Sequence, residues 1–277
     1  MSGAGPARGR GGRGLREDGT IAREGGLGRV QGEFAPVVTE TRTRIAAAFP
    51  GDLLHSSYLY GSIPRGTARP GSSDLDVLLA LHREPTGEDR ARAAELEGGL
   101  DRDFPQINGA GVLLSSAAEL LSERERHDGG WFVACMCTPL SGPDLAERLP
   151  RYRPSSLLAR ETNGDLAQAL LRWRARAAEA STDAERKRLS RGASRKVVRT
   201  GFTLVMPRWQ GWTSDLEESA EIFGRYYPSH AGRMLRAAAM ARSGSADPAG
   251  LAMLIEDLGP WLAGEYARVH GVKAPRA

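Results

Sequence analysis

The sequence predicts an α+β protein in which a small mixed-sheet domain precedes an all-helical bundle. Short, mostly apolar segments that resemble buried strands occur between residues 50 and 120. Beyond residue 142, segments rich in Ala, Leu and Arg carry their apolar residues at helical spacing. We therefore predict a Gly/Arg-rich tail at 1–33, a mixed α/β domain at 34–142 and a helical domain at 143–277.

Length, charge and cysteine content set only broad limits on function. A chain of 277 residues can hold two modest domains. Its formal net charge of +4 is compatible with a polyanionic ligand such as a nucleoside triphosphate, but it does not demand nucleic acid, which we do not expect as a partner. The two cysteines and five histidines lack metal-ligand spacing. Because no apolar run is long enough for a bilayer and no signal-peptide pattern occurs, we expect no membrane partner and a soluble cytoplasmic protein.

The first 33 residues are predicted to be disordered. Gly and Arg dominate this stretch and large apolar residues are nearly absent, so it can bury too little surface to offset its ordering entropy. Arg-Gly composition could also contact RNA weakly. A solvated tail or an over-long start-codon assignment is the simpler interpretation.

The elements of the mixed domain follow from hydrophobic periodicity. Apolar residues such as Val38 and Ile45 recur at helical spacing after residue 34, whereas the strands are apolar runs bounded by turn residues. The second helix is expected to close at Gly98-Gly99. The predicted elements are a helix at 34–49, strands at 53–62 and 74–81, a helix at 86–100 and a third strand from 107 to 116.

Helical patterns dominate the second half of the chain. The predicted helices span about 144–149, 164–180, 183–205, 214–226, 231–243 and 248–269. Pro228 and the Ser-Gly-Ser at 243–245 separate some of them. The pattern indicates a helical bundle without internal repeats.

Two acidic residues open the second predicted strand. Strand alternation places Asp74 and Asp76 on one face and Leu75 on the other. Two carboxylates at this spacing repel each other unless a cation lies between them. Hard oxygen ligands favour Mg²⁺, which keeps waters and recruits substrate phosphates as further ligands. We therefore predict Asp74 and Asp76 as metal-binding and catalytic residues.

A glycine-rich turn precedes the acidic pair. Gly61-Ser62 follows the first apolar strand and is expected to open a short helix, where glycine permits close backbone approach. The Ser62 hydroxyl and exposed N–H groups could hold a phosphate. Arg65 lies one turn further and could add positive charge, and Gly66 leads the chain towards Ser73-Asp74.

This combined motif resembles the signature of the polymerase-β-type nucleotidyltransferases. The resemblance rests on Gly61-Ser62, on Arg65-Gly66 and on the Ser-Asp-Leu-Asp at 73–76. It implies that Gly61, Ser62, Arg65, Gly66 and Ser73 bind the nucleotide. It also implies a Mg²⁺-dependent enzyme with ATP as substrate.

A weaker resemblance covers most of residues 50–240. The order of segments is similar to that of the bacterial aminoglycoside adenylyltransferases that act on streptomycin and spectinomycin. In those enzymes a helical domain follows the catalytic one, and here 139–150, 195–205 and 225–228 could correspond to their linking and helical segments. The resemblance implies transfer of AMP from ATP to a hydroxyl of a small-molecule acceptor such as an aminoglycoside.

One expected feature of that family is missing from the sequence. Its members usually carry a third carboxylate on the next strand, as a general base or a metal ligand, but the predicted strand offers Gly109, Ala110 and Gly111 there. Either catalysis has been lost, or another acid replaces the missing one, or the predicted strand register is wrong. A catalytically weak nucleotide-binding module, such as an antitoxin-like partner subunit, is therefore the alternative function, with nucleic-acid end modification ranked last.

Overall fold

A computed structural model describes residues 13–275 of the chain and divides them into two compact units. Ala22–Tyr152 form what we call the sheet unit. The described residues up to Ile21, together with those from Arg153 onwards, form the helical unit. A mixed sheet domain followed by helices confirms the predicted α+β class. None of the helices within the described residues combines the length and the apolar character needed to cross a membrane.

The sheet unit combines one mixed sheet with short and long helices. Its elements in chain order are α1 (Ala35–Ala48), β1 (Leu54–Tyr60), α2 (Ser62–Arg65), β2 (Leu75–Leu81), α3 (Gly87–Asp103), β3 (Ala110–Ser116), α4 (Ala117–Leu120), α5 (Gly129–Trp131) and β4 (Thr138–Ser141). Short 3-10 and π-helical turns join them at 27–29, 32–34, 132–136 and 145–148. Among the described residues, the strands are ordered β3-β2-β1-β4. The predicted strands therefore form, and β4 is an additional strand.

Strand β2, which contains Asp76, lies between β3 and β1 in the sheet. It pairs antiparallel with β1, so that Asp76 faces Tyr60, and parallel with β3, so that Asp76 faces Gly111. The parallel pairing continues in one register from Leu75 opposite Ala110 to Leu81 opposite Ser116. The start of β2 is thus held from both sides by backbone hydrogen bonds.

The two faces of β2 are buried in two separate apolar clusters. Odd-numbered residues from Leu75 to Leu81 belong to the larger cluster, which α1 and α3 cover. Leu78 and Ala80 belong to the smaller cluster, with Tyr58 of β1. Asp76 comes next on the face of Leu78 and Ala80, so its carboxylate lies where an apolar face ends.

Helix α3 does not close at Gly98-Gly99 as predicted, and continues to Asp103. Gly99 is buried, and a Cβ added there would lie 3.1 Å from Nη1 of Arg44 in α1. Leu100, one residue later, is fully buried in the larger cluster. The glycines therefore allow close packing of α3, and the burial of Leu100 outweighs their low helix propensity.

A buried carboxylate fixes the beginning of α3. Asp89 forms a capping box with Thr86, whose backbone N–H and hydroxyl both donate to Asp89 Oδ2 at 2.8 Å. Arg83 adds a bidentate contact at 2.6 and 3.2 Å. The hydrogen bonds from Arg83 and then from Thr86 hold the pKa of Asp89 well below its ordinary value. The ionised Asp89 carboxylate therefore stabilises the fold at pH values above its pKa in the unfolded chain. This stabilisation is lost as the pH falls through the lower pKa that Asp89 has in the folded protein.

We expect Asp89→Asn to lower the free energy of unfolding by about 1–3 kcal/mol at pH 7, because a helix cap and a charged hydrogen-bond acceptor are lost together. Urea unfolding at pH 7 and at pH 3 measures the effect, and the difference from wild type should shrink at the lower pH. Asp103→Asn on the same helix is the control. Its ion pair with Arg44 is half-exposed and should contribute less than about 1 kcal/mol. Equal losses in the two variants would contradict the assignment.

The helical unit confirms that helices dominate the second half of the chain. Its elements are α6 (Ser156–Asn163), α7 (Leu166–Glu179), α8 (Asp183–Trp209), α9 (Leu216–Tyr226), α10 (Ala231–Ser243), α11 (Pro248–Ala252) and α12 (Gly259–His270). Helix α6 is not among the predicted elements, although Ser155 caps it by accepting from the Leu158 N–H at 3.2 Å. Helix α8 runs past Pro207 because Trp209 is buried and packs against Phe202.

The boundary between the two units lies later than the predicted one at 142/143. Leu145 is fully buried in the smaller cluster of the sheet unit, and its N–H donates to the Tyr58 hydroxyl at 2.8 Å. Asp144 pairs with Arg23 at 2.8 Å. These contacts join the segment after β4 to the sheet, so the Gly142-Pro143 turn does not separate domains.

The structure also differs from the predicted disorder of residues 1–33. Residues 1–12 lie outside the described part of the chain. From residue 13 onwards, arginines make defined hydrogen bonds: Arg13 donates to the Trp209 carbonyl at 2.7 Å and Arg16 to the Ile21 carbonyl at 3.0 Å. Ile21 is fully buried. Specific polar contacts compensate for the small apolar surface that the composition provides.

Candidate active site

Gly61 connects β1 to the short helix α2 in a conformation that only glycine adopts readily. Its φ is +81° and its ψ is −153°. A Cβ added at this position would collide with Oδ2 of Asp76. The Asp76 carboxylate therefore lies directly against the backbone at the start of the Gly61-Ser62 turn. The Gly61-Ser62 turn and the acidic residue Asp76, which belong to the two halves of the predicted motif, are therefore in contact as expected.

The turn returns to β2 through a chain of backbone hydrogen bonds. Gly66 ends α2 in the left-handed region with φ of +73°, and Thr67 N–H donates to the Ser62 carbonyl at 3.1 Å. The Ser73 hydroxyl accepts from the Arg69 N–H at 2.9 Å. Ser73 thus stabilises the approach to the carboxylates, whereas its predicted contact with nucleotide stays a prediction.

Asp74 and Asp76 are both half-buried at the start of β2. Leu75 between them is 1% exposed and faces the larger cluster, so the two acids project from the opposite face. The Asn108 side-chain amide donates to Oδ1 of Asp74 at 3.1 Å. Asn108 is not among the predicted site residues, although a polar residue directly before the third strand is a usable signal.

An aromatic pair lies beside the acids on the same face. Tyr60 is the antiparallel partner of Asp76, and its ring contacts Phe132 edge-to-face with centroids 5.0 Å apart. Both rings pack against the smaller cluster. On the β3 side of β2, Leu113 is paired with Leu78, lies on the same face of the sheet and is 49% exposed. The carboxylates are therefore bordered by an apolar surface, which could contact a base or sugar ring.

The strand register decides one of the alternatives that the sequence leaves open. Gly111 is paired with Asp76 across β3 and β2, so it occupies the position where a third carboxylate would face the acidic pair. A Cβ added at Gly111 meets no atom within 4 Å. The third strand therefore forms in a register that places Gly111 opposite Asp76, and no acid occupies the room for a side chain there.

Neighbouring acids of the sheet unit have other contacts. Asp101 of α3 accepts from the Ala110 N–H at 2.7 Å and Glu97 accepts from the Val112 N–H at 2.6 Å, so both cap the outer edge of β3. Asp103 pairs with Arg44 and Glu119 with Arg124. None of these four carboxylates comes from the β-strand face that carries Asp76.

The donor set fits a magnesium ion. Within the part of the chain that the structure describes, no group of three or more His, Cys, Asp and Glu side chains could hold a metal ion by itself. Mg²⁺ in phosphoryl-transfer sites is held by one or two carboxylates, with waters and substrate phosphates as the remaining ligands. Asp74 and Asp76 provide such a pair beside a turn suited to phosphate.

Arg65 pairs with Glu24, which is not among the predicted site residues. Its Nη1 lies 3.5 Å from Oε2 of Glu24, and both side chains are more than two-thirds buried. Glu24 belongs to the stretch predicted to be disordered, and no local pattern indicates its position next to Arg65. The predicted cation beside the Gly61-Ser62 turn therefore lies in an ion pair.

Comparison with known proteins agrees with this geometry. A family model described as a nucleotidyltransferase domain matches residues 40–106, which include most of α1, the Gly61-Ser62 turn, the acidic pair and α3. The chain contains a nucleotidyltransferase domain. This finding confirms the polymerase-β-type resemblance and the predicted enzyme class.

The chain is also similar to a solved structure over most of its length. This is the spectinomycin adenyltransferase AAD(9) from Enterococcus faecialis, determined with ATP and spectinomycin. The TM-score is 0.53 and the sequence identity is 13%, over 83% of this chain and 98% of that one. A search of curated protein sequences finds no significant match. At this identity the similarity establishes an AAD(9)-like fold.

Proposed function

We propose that the protein is a Mg²⁺-dependent adenylyltransferase that moves AMP from ATP to a hydroxyl of a small-molecule acceptor such as an aminoglycoside. The observation that carries the proposal is the contact of Gly61 with the Asp76 carboxylate, beside Asp74 on the same face. The similarity to AAD(9), whose structure contains ATP and spectinomycin, supports the choice of ATP and of the acceptor class.

Each site residue has a role that its position supports. The N–H groups and hydroxyl of the Gly61-Ser62 turn would bind the terminal phosphates, and Arg65 would neutralise their charge. Gly66 and Ser73 would keep the turn in place for the nucleotide. The acceptor oxygen attacks the α-phosphorus, the bond to pyrophosphate breaks in line, and the acceptor proton passes to a base. Asn108 would orient the Asp74 carboxylate.

Asp74 and Asp76 would hold Mg²⁺, which would supply charge stabilisation for the phosphates during transfer. The half-buried positions of the two carboxylates favour this role, because a low-dielectric surrounding strengthens their electrostatic interactions.

Transfer of label from α-labelled ATP tests the proposal directly. The protein is incubated with Mg²⁺, labelled ATP and a panel of aminoglycoside and aminocyclitol acceptors, and the products are separated chromatographically. A labelled acceptor with release of pyrophosphate is the expected result. Binding of a non-hydrolysable ATP analogue without transfer to any acceptor would instead favour the interaction-module function.

Gly111→Glu is expected to raise the transfer rate by about tenfold or more, because general-base catalysis contributes about 10²–10⁴-fold where the base is well placed. The position faces Asp76 and has room for a side chain. Single-turnover rates with one acceptor measure the effect. Leu113→Glu, two residues further along the same face, is the control and should not accelerate transfer. An unchanged or lower rate in Gly111→Glu would indicate that another group already acts as the base.

A second candidate function rests on the same glycine. Because Gly111 stands opposite Asp76, the site could bind nucleotide without efficient turnover, as in an antitoxin-like partner subunit. Stable co-purification of a partner protein, with nucleotide binding and no transfer, would support this candidate.

A further inference from the structure

Residues 22–29, which we call the brace, pack against the phosphate-binding turn of the nucleotidyltransferase domain. The Gly26 N–H donates to the Pro64 carbonyl at 2.9 Å. A Cβ added at Gly66 would lie only 2.7 Å from the Arg29 carbonyl oxygen. The brace therefore contacts both the middle and the end of α2.

The close approach depends on a glycine in the brace itself. A Cβ added at Gly25 would collide with the Thr138 hydroxyl and would lie 3.2 Å from Cβ of Pro64. Thr138 is the first residue of β4, which pairs with β1 on the side away from β2. The brace is thus fitted between the sheet edge and the turn with no room for a larger residue.

Polar contacts away from α2 also hold the brace against the rest of the sheet unit. Arg23 forms a bidentate ion pair with Asp144, with N–O distances of 2.8 and 3.2 Å, and donates from Nε to the Ala134 carbonyl at 3.2 Å. The Glu24 N–H donates to the Cys135 carbonyl at 3.0 Å. These contacts fix the backbone from which the Glu24 side chain projects.

Glu24 connects this fixed backbone to Arg65. Its side chain is 15% exposed and its carboxylate lies 3.5 Å from Arg65 Nη1, while the Glu24 carbonyl accepts from Arg29 at 2.8 Å. An arginine side chain loses much rotamer freedom when it is ordered. A partner that orders it before the nucleotide arrives reduces that cost at the binding step. A guanidinium carries five N–H donors, so one held by a carboxylate can still donate to phosphate oxygens.

We propose that the brace is a positioning element of the active site, and that Glu24 holds Arg65 in the orientation that binds the terminal phosphates of the nucleotide. This inference rests on the proposed adenylyltransferase function. It assigns a functional role to a segment outside the matched domain model, which begins at residue 40.

Nucleotide affinity of Glu24→Gln tests the proposal. Glutamine keeps the size of the side chain and an acceptor oxygen, but it removes the charge that orders Arg65. Calorimetric titration with a non-hydrolysable ATP analogue should show binding about tenfold weaker than wild type, since a lost charged contact of about 1.4 kcal/mol corresponds to that factor. Binding of AMP, which lacks the terminal phosphates, should stay within about twofold. Glu33→Gln, an exposed acid just beyond the brace, is the matched control and should change neither affinity.

A double-mutant cycle separates positioning from general stability. If Glu24 acts through Arg65, Glu24→Gln should add nothing to the loss already caused by Arg65→Gln, whereas independent effects would add. Thermal melting of every variant identifies those that fail to fold. Additive losses, or equal losses for ATP analogue and AMP, would overturn the positioning role.

The proposal can fail while the proposed function stands. If wild type transfers AMP and loses that activity in Asp76→Asn, while Glu24→Gln behaves like Glu33→Gln, then only the brace assignment is wrong. If wild type binds neither nucleotide, the adenylyltransferase function fails and the brace assignment fails with it.

Discussion

Asp76→Asn should reduce nucleotidyl transfer by about 10²–10⁴-fold, because a lost metal ligand removes several kcal/mol of transition-state stabilisation at 1.36 kcal/mol per tenfold. Asparagine has the same shape as aspartate, so it should still fit against Gly61 and preserve the turn. The expected loss is therefore chemical, with little change in the free energy of unfolding. Initial rates of label transfer measure it, at ATP and Mg²⁺ concentrations that just saturate the wild type.

The control for this variant is Asp52→Asn, which neutralises an exposed acid in the loop before β1. It should transfer AMP at the wild-type rate. Raising the Mg²⁺ concentration should restore part of the activity of Asp76→Asn if the residue binds the ion. Wild-type rates in Asp76→Asn would remove the acidic pair from the mechanism, and the interaction-module function would then be favoured.

The sequence predicts the acidic pair well because the information is local. Strand alternation alone places Leu75 in the core and the flanking acids on the other face. The Gly61-Ser62 turn is likewise encoded by neighbouring residues, since a positive φ requires glycine. A short apolar run predicts the third strand, and the structure adds the register that places Gly111 opposite Asp76.

The brace could not be predicted because its structure depends on distant partners. Most of its residues are small or charged, and two of them are held by contacts far along the chain, Arg23 with Asp144 and Glu24 with Arg65. Composition indicates disorder when apolar burial is the only stabilising contribution to the folding free energy that is considered. Strand β4 escaped prediction for a similar reason, since its four residues contain Pro139 and depend on pairing with β1.

These long-range contacts explain how a weakly apolar sequence can build a rigid site. The Gly61–Gly66 turn is contacted by β2 on one side and by the brace on the other, so its geometry is set before a ligand binds. Preorganised donors contribute most when they need not rearrange during the reaction. The missing third carboxylate would then affect the proton transfer more than the binding of the phosphates.

Gly61→Ala should therefore have a large effect on both stability and activity. Alanine at a φ of +81° with this ψ is strained by about 1–3 kcal/mol. Its methyl group would also displace the Asp76 carboxylate, because the two occupy the same space. A shift of about 1 Å in a catalytic group can reduce the rate about 10²-fold. Urea unfolding and initial rates of label transfer measure the two effects separately.

Gly51→Ala is the matched control, because an added Cβ there meets no atom within 4 Å and its backbone is not in the left-handed region. This variant should keep its activity and be unchanged or up to about 1 kcal/mol more stable, since alanine restricts the unfolded chain. If Gly61→Ala lost stability but kept wild-type rates, the turn would be structural only. If it lost activity at unchanged stability, the contact between the Gly61 backbone and the Asp76 carboxylate would serve catalysis directly.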